Sequence, residues 1–413
     1  MSVNPFFKCW CRVFQKGMWC VMWFLPWNQN KGTLSGPGSV KQLPGFLKEK
    51  GFKSILIVTD GGLFQLGMAD PILESCKAEG MDCVIYHDVV PNPTIQNIED
   101  GLKIYKENNC DAIVALGGGS SMDCAKGIAA RVACPKKSVP QLKGLVKIML
   151  SGKGKKMPPL VAIPTTSGPG SEATVAAVIS NPEKHEKYPI NDPYLIPRYV
   201  VMDPELTIGL PPHITSTTGV DALTHAVEGY IGSENTKQTK KDSIEAVQLI
   251  NKYLKKAYDD GKDLEARNKM QEAAFLAGRA FTRSYVGYVH AVAHSLGGFY
   301  GVPHGLANAV ILPYVLDAYG KSAYKKLAEL ADCIDIKGDT IEEKAKAFIQ
   351  WIRDLNASMN IPDKIKAKDG STLIKEEDLP IMIEHALSEA NPLYPCPQVW
   401  GKEELEKIYR IIM

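Results

Sequence analysis

The stretch Ala112-Ile113-Val114-Ala115-Leu116-Gly117-Gly118-Gly119-Ser120-Ser121-Met122-Asp123 decides the fold. Its first five residues form a continuous apolar run, the mark of a strand buried on both faces. Three glycines interrupt the chain, and a helical pattern resumes from Cys124 to Arg131. Working outward, Ser54 to Thr59 reads as a second buried strand that ends at Asp60 and two glycines. Helical spacing near Pro71 to Glu79 leads to a strand at Cys83 to Tyr86, and Leu160 to Ile163 is a further strand ending at Pro164. Short apolar strands separated by helices predict a parallel sheet covered on both faces.

The texture changes after Pro211-Pro212. Helical periodicities follow at Ser243 to Tyr258, Asn268 to Phe281, Ala323 to Ala331 and Ile341 to Leu355, with almost no strand runs. Two domains are therefore expected: an N-terminal extension and α/β dinucleotide-binding domain over residues 1–212, and an all-α domain over 213–413. A chain of 413 residues exceeds the usual span of one hydrophobic core. The net charge of +2 and the lack of a long Lys/Arg block give no reason to expect a nucleic-acid partner. Ten scattered cysteines without a CxxC pair suit reduced thiols in the cytoplasm. The N-terminus is unusual, with Trp10, Trp19, Trp23 and Trp27 among Cys9, Cys11 and Cys20 and the cations Lys8, Arg12 and Lys16. Its apolar run from Met18 to Trp27 falls short of the roughly 20 residues of a membrane span. The following Asn28, Gln29, Asn30 and Lys31 offer no cleavage site. This segment is expected to pack on the body or on a second subunit, with a targeting or membrane-surface role as the alternative.

Gly118, Gly119 and Ser120 lie where bare backbone and a helix N-terminus would receive a pyrophosphate. A tight turn uses the same glycines, and the loop alone does not choose. At the end of its strand Asp60 can accept from ribose hydroxyls, or cap the next helix. The loop from Ile163 to Glu172, with Thr165 and Thr166, suits a nucleotide or nicotinamide amide, or a helix capped by Ser171. In the helical half, Asp221 and His225 share a helix face at i and i+4, and His290 and His294 repeat the spacing. His304 follows in Val302-Pro303-His304-Gly305. An isolated pair of this kind is an ordinary surface ion pair. Segments so rich in Ala, Val, Leu and Gly are buried, where imidazoles need partners, and a metal ion supplies one for all of them.

Taken together, these residues resemble the iron-containing (group III) alcohol dehydrogenase family. The likeness rests on Gly117 to Ser120 with Asp123 and Lys126, Pro164 to Glu172, Gly219 to Glu228 and His290 to Gly305, with Pro91 to Thr94 and Asp203-Pro204 as lesser matches. It implies a Rossmann-like domain and a helical domain with the active site in the cleft between them. By position it implies metal ligands Asp221, His225, His290 and His304, binding Fe²⁺ or another divalent ion such as Zn²⁺. It places His294 near the nicotinamide as a polar or proton-relay group, and Asp60, Asn92, Gly118, Gly119, Ser120, Thr165, Thr166 and Lys187 along NAD. It implies oxidation of a small alcohol or reduction of an aldehyde, and a homodimer or larger assembly in the cytoplasm. Pro169 departs from the usual Thr of a Gly-Thr-Gly loop, Ser35 replaces an aromatic, and the residues before Ser35 are longer and more aromatic than the family start. A lyase resembling dehydroquinate synthase would need many basic residues near His225 and His290, where few stand. A non-catalytic assembly protein docking through its N-terminus is the third reading.

Overall fold

The computed structural model describes the chain apart from Met1, Ser2, Asn28, His185 and Lys368. Asn28 belongs to the stretch read above for a cleavage site, and so lies outside the described residues. The chain forms two compact units, Leu25–Gly209 and Leu210–Met413, the latter joined by the N-terminal segment ending at Phe24. That segment thus groups with the helical unit, although sequence order sets it beside the α/β one. The reason is a helix, Pro5–Trp23, whose Arg12 and Gln15 donate to backbone carbonyls of residues 392–397.

The α/β unit contains β1 (Gly32–Ser35), β2 (Ser54–Asp60), β3 (Asp82–Val89), β4 (Ala112–Gly117), β5 (Gly144–Leu145), β6 (Leu160–Pro164), β7 (Ala176–Asn181), β8 (Glu186–Asn191) and β9 (Tyr199–Met202). Among the described residues, six of these form one parallel sheet in the order β1-β9-β6-β4-β2-β3. Ile55, Ile57, Ile113 and Val161 are among its fully buried residues, which is why these strands read as unbroken apolar runs. The smaller sheet β5-β8-β7 was not visible in the sequence, because β7 buries only alternate residues.

Strand order positions the loops. The chain passes from β2 outward to β3, then returns to the opposite side of β2 as β4. The carboxyl ends of β2 and β4 therefore flank a topological switch point, where open α/β sheets bind ligands. Asp60 ends β2, Gly117 ends β4, and Gly117 pairs in register with Pro164 at the end of β6. Gly117 has φ +146°, and a Cβ there would stand 2.5 Å from Ser121 Oγ, so this position accepts only glycine.

A buried polar knot fixes the β6–β7 loop against the helix Gly119–Ala133. Lys126 Nζ donates to Ser171 Oγ (2.9 Å), Thr174 Oγ1 (3.0 Å) and the Ala176 carbonyl (2.8 Å). Asp123 accepts from Ser171 Oγ and from the Val178 N–H, both at 3.0 Å. Ser171 is thus part of this knot and not the expected helix cap: Gly170 in the left-handed region already makes the turn. Burial pushes Lys126 down to about 8 and Glu172 up to about 7. Replacing Lys126 with Met would leave two buried carboxyls without their cation. Such a loss costs about 3 kcal/mol, and calorimetry should show the thermal midpoint of the α/β unit lowered by roughly 6–12 °C. An unchanged midpoint would remove the knot from the account of stability.

Candidate metal centre and nucleotide site

Three helices build the centre in the helical unit. Pro212–Ile231 carries Asp221, His225 and Glu228, Tyr288–Tyr300 carries His290 and His294, and His304–Tyr319 starts at His304. The second and third are joined by Gly301, in the left-handed region, and by Val302-Pro303, which ends one helix and aims the next. Gly305 lets the His304 helix approach closely, since a Cβ there would stand 2.6 Å from the Thr217 carbonyl oxygen.

One ligand atom from each of Asp221, His225, His290 and His304 lies within 4.8 Å of the others. Asp221, His225 and His290 are buried and His304 is partly so, which excludes a surface ion pair. Phe281 stacks on His225 with ring centroids 4.1 Å apart. His290 is fixed from behind. Its Nδ1 donates to Glu228 Oε2 at 2.6 Å, and Glu228 also accepts the N–H groups of Gly287 and Val289, both at 2.9 Å. Burial pushes Glu228 up to about 7, and the two N–H donors pull toward the carboxylate; facing that acceptor, Nδ1 carries the ring proton and Nε2 offers its lone pair to the centre. Burial first, then the neighbouring imidazoles, holds His290 well below the usual histidine range, in the neutral form that a metal requires.

The donor set fits a divalent cation. Asn308 Nδ2 lies 2.6 Å from Asp221 Oδ1, 3.2 Å from His290 Nε2 and 3.1 Å from His304 Nε2. Three acceptors converge on one amide, which has two N–H groups for them. The amide oxygen of Asn308 is buried without a hydrogen-bond partner. A carboxylate and three imidazoles aimed at one point are poorly served by an amide and well served by Fe²⁺ or Zn²⁺.

His294 stands apart from this group. Its ring centroid is 5.2 Å from that of His304, and its Nδ1 hydrogen-bonds Glu389 Oε1 at 2.6 Å. Tyr394 donates to the same carboxylate oxygen at 2.6 Å. With 41% of its side chain exposed, His294 can exchange protons with water.

In the α/β unit, the loops after β3 and β4 meet the hairpin of β7 and β8. The Asn92 N–H donates to Ser120 Oγ at 3.2 Å, and Lys187 Nζ donates to Asn92 Oδ1 at 2.6 Å. Asp60 caps the helix Gly61–Gln65 through one oxygen, which accepts from the Leu63 N–H at 3.0 Å. The Thr165 N–H donates to the Gly117 carbonyl at 3.2 Å, which brings the β6 loop beside the glycine turn. Gly118 and Gly119 differ from Gly117. A Cβ on Gly118 would stand 3.5 Å from Thr166, and one on Gly119 would stand 3.8 Å from Pro169, ordinary contacts both. Packing alone does not demand glycine there. A phosphate approaching the start of Gly119–Ala133 would.

Glu228, Asn308, Glu389 and Tyr394 were not singled out from the sequence. Glu228 lies seven residues after Asp221 and Asn308 four after His304, both on helical faces already marked. Glu389 carries no such signal, being 95 residues from its partner.

Comparison with known proteins agrees with this chemistry. Residues 30–204 match the model for iron-containing alcohol dehydrogenase, and residues 215–413 match the C-terminal model of the same family. The chain is 37% identical to alcohol dehydrogenase 4 of Schizosaccharomyces pombe, over 92% of this chain and 87% of that one. It is 36% identical to the 1,3-propanediol dehydrogenase of Citrobacter freundii, over 91% and 95%. A crystal structure of 1,3-propanediol oxidoreductase superposes with a TM-score of 0.86 at 35% identity, covering 93% of this chain and 98% of that one. The chain belongs to the iron-containing alcohol dehydrogenase family and is an oxidoreductase acting on alcohols.

Proposed function

We propose that this enzyme interconverts short primary alcohols or diols with their aldehydes, using NAD(H) and Fe²⁺ held by Asp221, His225, His290 and His304. The observation that carries the reading is the convergence of those four donor atoms within 4.8 Å in a buried setting. The family and the propanediol-active relatives support the substrate class. The same donors accept Zn²⁺ and other divalent ions.

When bound, the cation is a Lewis acid that makes an alcohol easier to deprotonate, and NAD accepts the hydride. The chain's own residues do the rest. Asp221 supplies one negative charge, so three neutral imidazoles leave the centre net positive. Glu228 keeps His290 in the tautomer that offers Nε2. His294, held by Glu389 and open to solvent, is placed to pass the alcohol proton to water. Gly118, Gly119 and Ser120 receive the pyrophosphate at the helix N-terminus, with Thr165 and Thr166 alongside. Asn92 and Lys187 line the same cofactor. The second oxygen of Asp60 accepts from the ribose hydroxyls, where its charge disfavours the additional phosphate of NADP. We further propose the cytoplasm as the compartment, consistent with ten cysteines that are all free. The open edge strand β1 supports a homodimer.

Asp221→Asn and His304→Ala should each lower the iron retained after dialysis, read by elemental analysis, and reduce turnover at least 100-fold, as losses of metal-site residues do. Full metal content with full turnover in either variant would overturn the ligand assignment. Gly118→Ala has room for its Cβ in the fold, so its thermal midpoint should hold while NADH affinity, measured by fluorescence titration, falls roughly 10- to 100-fold, a loss of about 1.4–2.7 kcal/mol. Unchanged affinity would move the phosphate elsewhere. Asp60→Ser should narrow the preference for NAD over NADP in kcat/KM, and an unaltered ratio would argue that Asp60 serves only as a cap.

A further inference from the structure

The helix Pro5–Trp23 is built the opposite way from an ordinary surface helix. Two of its polar side chains, Arg12 and Gln15, point into the protein. Gln15 is buried and donates to the carbonyls of Pro392 (3.0 Å) and Tyr394 (2.8 Å). Arg12 donates to the carbonyls of Cys396 (2.8 Å) and Pro397 (2.9 Å). Buried Cys11 and Met22 share that inner face, and Tyr285 donates to Met22 Sδ at 2.9 Å. Five bonds between helix and body fix the helix in rotation about its axis.

Opposite Gln15 the helix presents an apolar face to the outside. Phe6 and Phe24 are each 85% exposed, Val13 65%, Val21 61% and Trp10 51%. The spacing 6, 10, 13, 21, 24 keeps one face of a 3.6-residue helix. Trp10 lies against Phe7 and Phe14, with ring centroids 5.7 and 5.8 Å away, so the first half of the strip is an aromatic cluster. At 1.5 Å per residue its 19 residues make a ribbon about 28 Å long. No described helix, this one included, is long and apolar enough to cross a membrane.

Charge selects the occupant. Lys8, Arg12 and Lys16 lie within the helix, which has no acidic residue. The whole chain carries +2, so the helix at +3 leaves −1 for all the rest. Lys8 and Lys16 are exposed. A second copy docking helix to helix would bring six cations together with no carboxylate from either helix between them. An anionic lipid leaflet offers negative headgroups and hydrocarbon in adjacent layers, the combination that a cationic helix with Trp and Phe on its apolar face takes up.

The geometry points to this helix as a membrane-surface element that lies in the plane of an anionic phospholipid leaflet and holds the enzyme there peripherally. The full-length, metal-loaded protein should sediment with phosphatidylcholine vesicles containing phosphatidylserine, and far less with phosphatidylcholine alone. High salt should weaken the binding. Lys8→Ser and Lys16→Ser should each lower vesicle affinity about fivefold. Phe6→Ser with Trp10→Ser should abolish it, while circular dichroism and dehydrogenase activity stay as in the parent protein, because both side chains are exposed. Failure to bind the anionic vesicles, or equal binding to neutral ones, would overturn the assignment. Smaller particles by light scattering in the Phe6→Ser, Trp10→Ser variant, with no vesicle binding by the parent, would assign the face to contact between copies instead.

Discussion

Four acceptor groups aimed at one buried point are the constraint on which the helical unit depends. The carboxylate of Asp221 and the imidazoles of His225 and His290 are buried, and desolvation of that kind costs several kcal/mol unless partners replace the lost water. The partners are specific. Glu228 gathers the first N–H groups of the His290 helix and the Nδ1 proton of His290 itself, so one carboxylate both caps a helix and orients a ligand. Gly287 makes that possible, since a Cβ there would stand 2.6 Å from Glu228 Oε1. Gly305 does the same for the approach of the His304 helix. The glycines flanking the histidines are thus part of the centre's geometry, and a cation completes the set of partners.

The α/β unit meets a related demand with its own residues. Lys126, Asp123 and Glu172 are all buried, and burial moves each toward its neutral form. The hydroxyls of Ser171 and Thr174 and the Ala176 carbonyl receive the ammonium protons. This ties the loop bearing Thr165 and Thr166 to the helix whose first turn would meet a phosphate. A rigid loop beside a rigid helix end keeps a cofactor site ordered before the cofactor arrives, which saves ordering entropy on binding.

Much of this was legible in the sequence because the relevant signals are local. Unbroken apolar runs marked β2, β4 and β6, and the i, i+4 spacing placed Asp221 with His225 and His290 with His294 on shared faces. The short strands β1 and β9 and the β7–β8 hairpin carry weaker signals: four residues such as Tyr199 to Met202 hold too little periodicity to separate from a loop. Of the two uses open to a carboxylate at Asp60, the fold itself employs the helix cap. Glu389 had no local signature, since its contact with His294 arises only when distant helices pack. For the N-terminal segment, sequence order says nothing about which core will accept Gln15 and Arg12.

Hydride transfer that depends on the metal is the central claim, and NADH absorbance tests it most directly. The protein would be loaded anaerobically with iron, mixed with NADH and a short aldehyde, and compared with the same preparation stripped by chelator and then reloaded. The account predicts NADH oxidation in the loaded and reloaded samples and none in the stripped one. Equal oxidation in all three, or none in any across several short aldehydes, would contradict it.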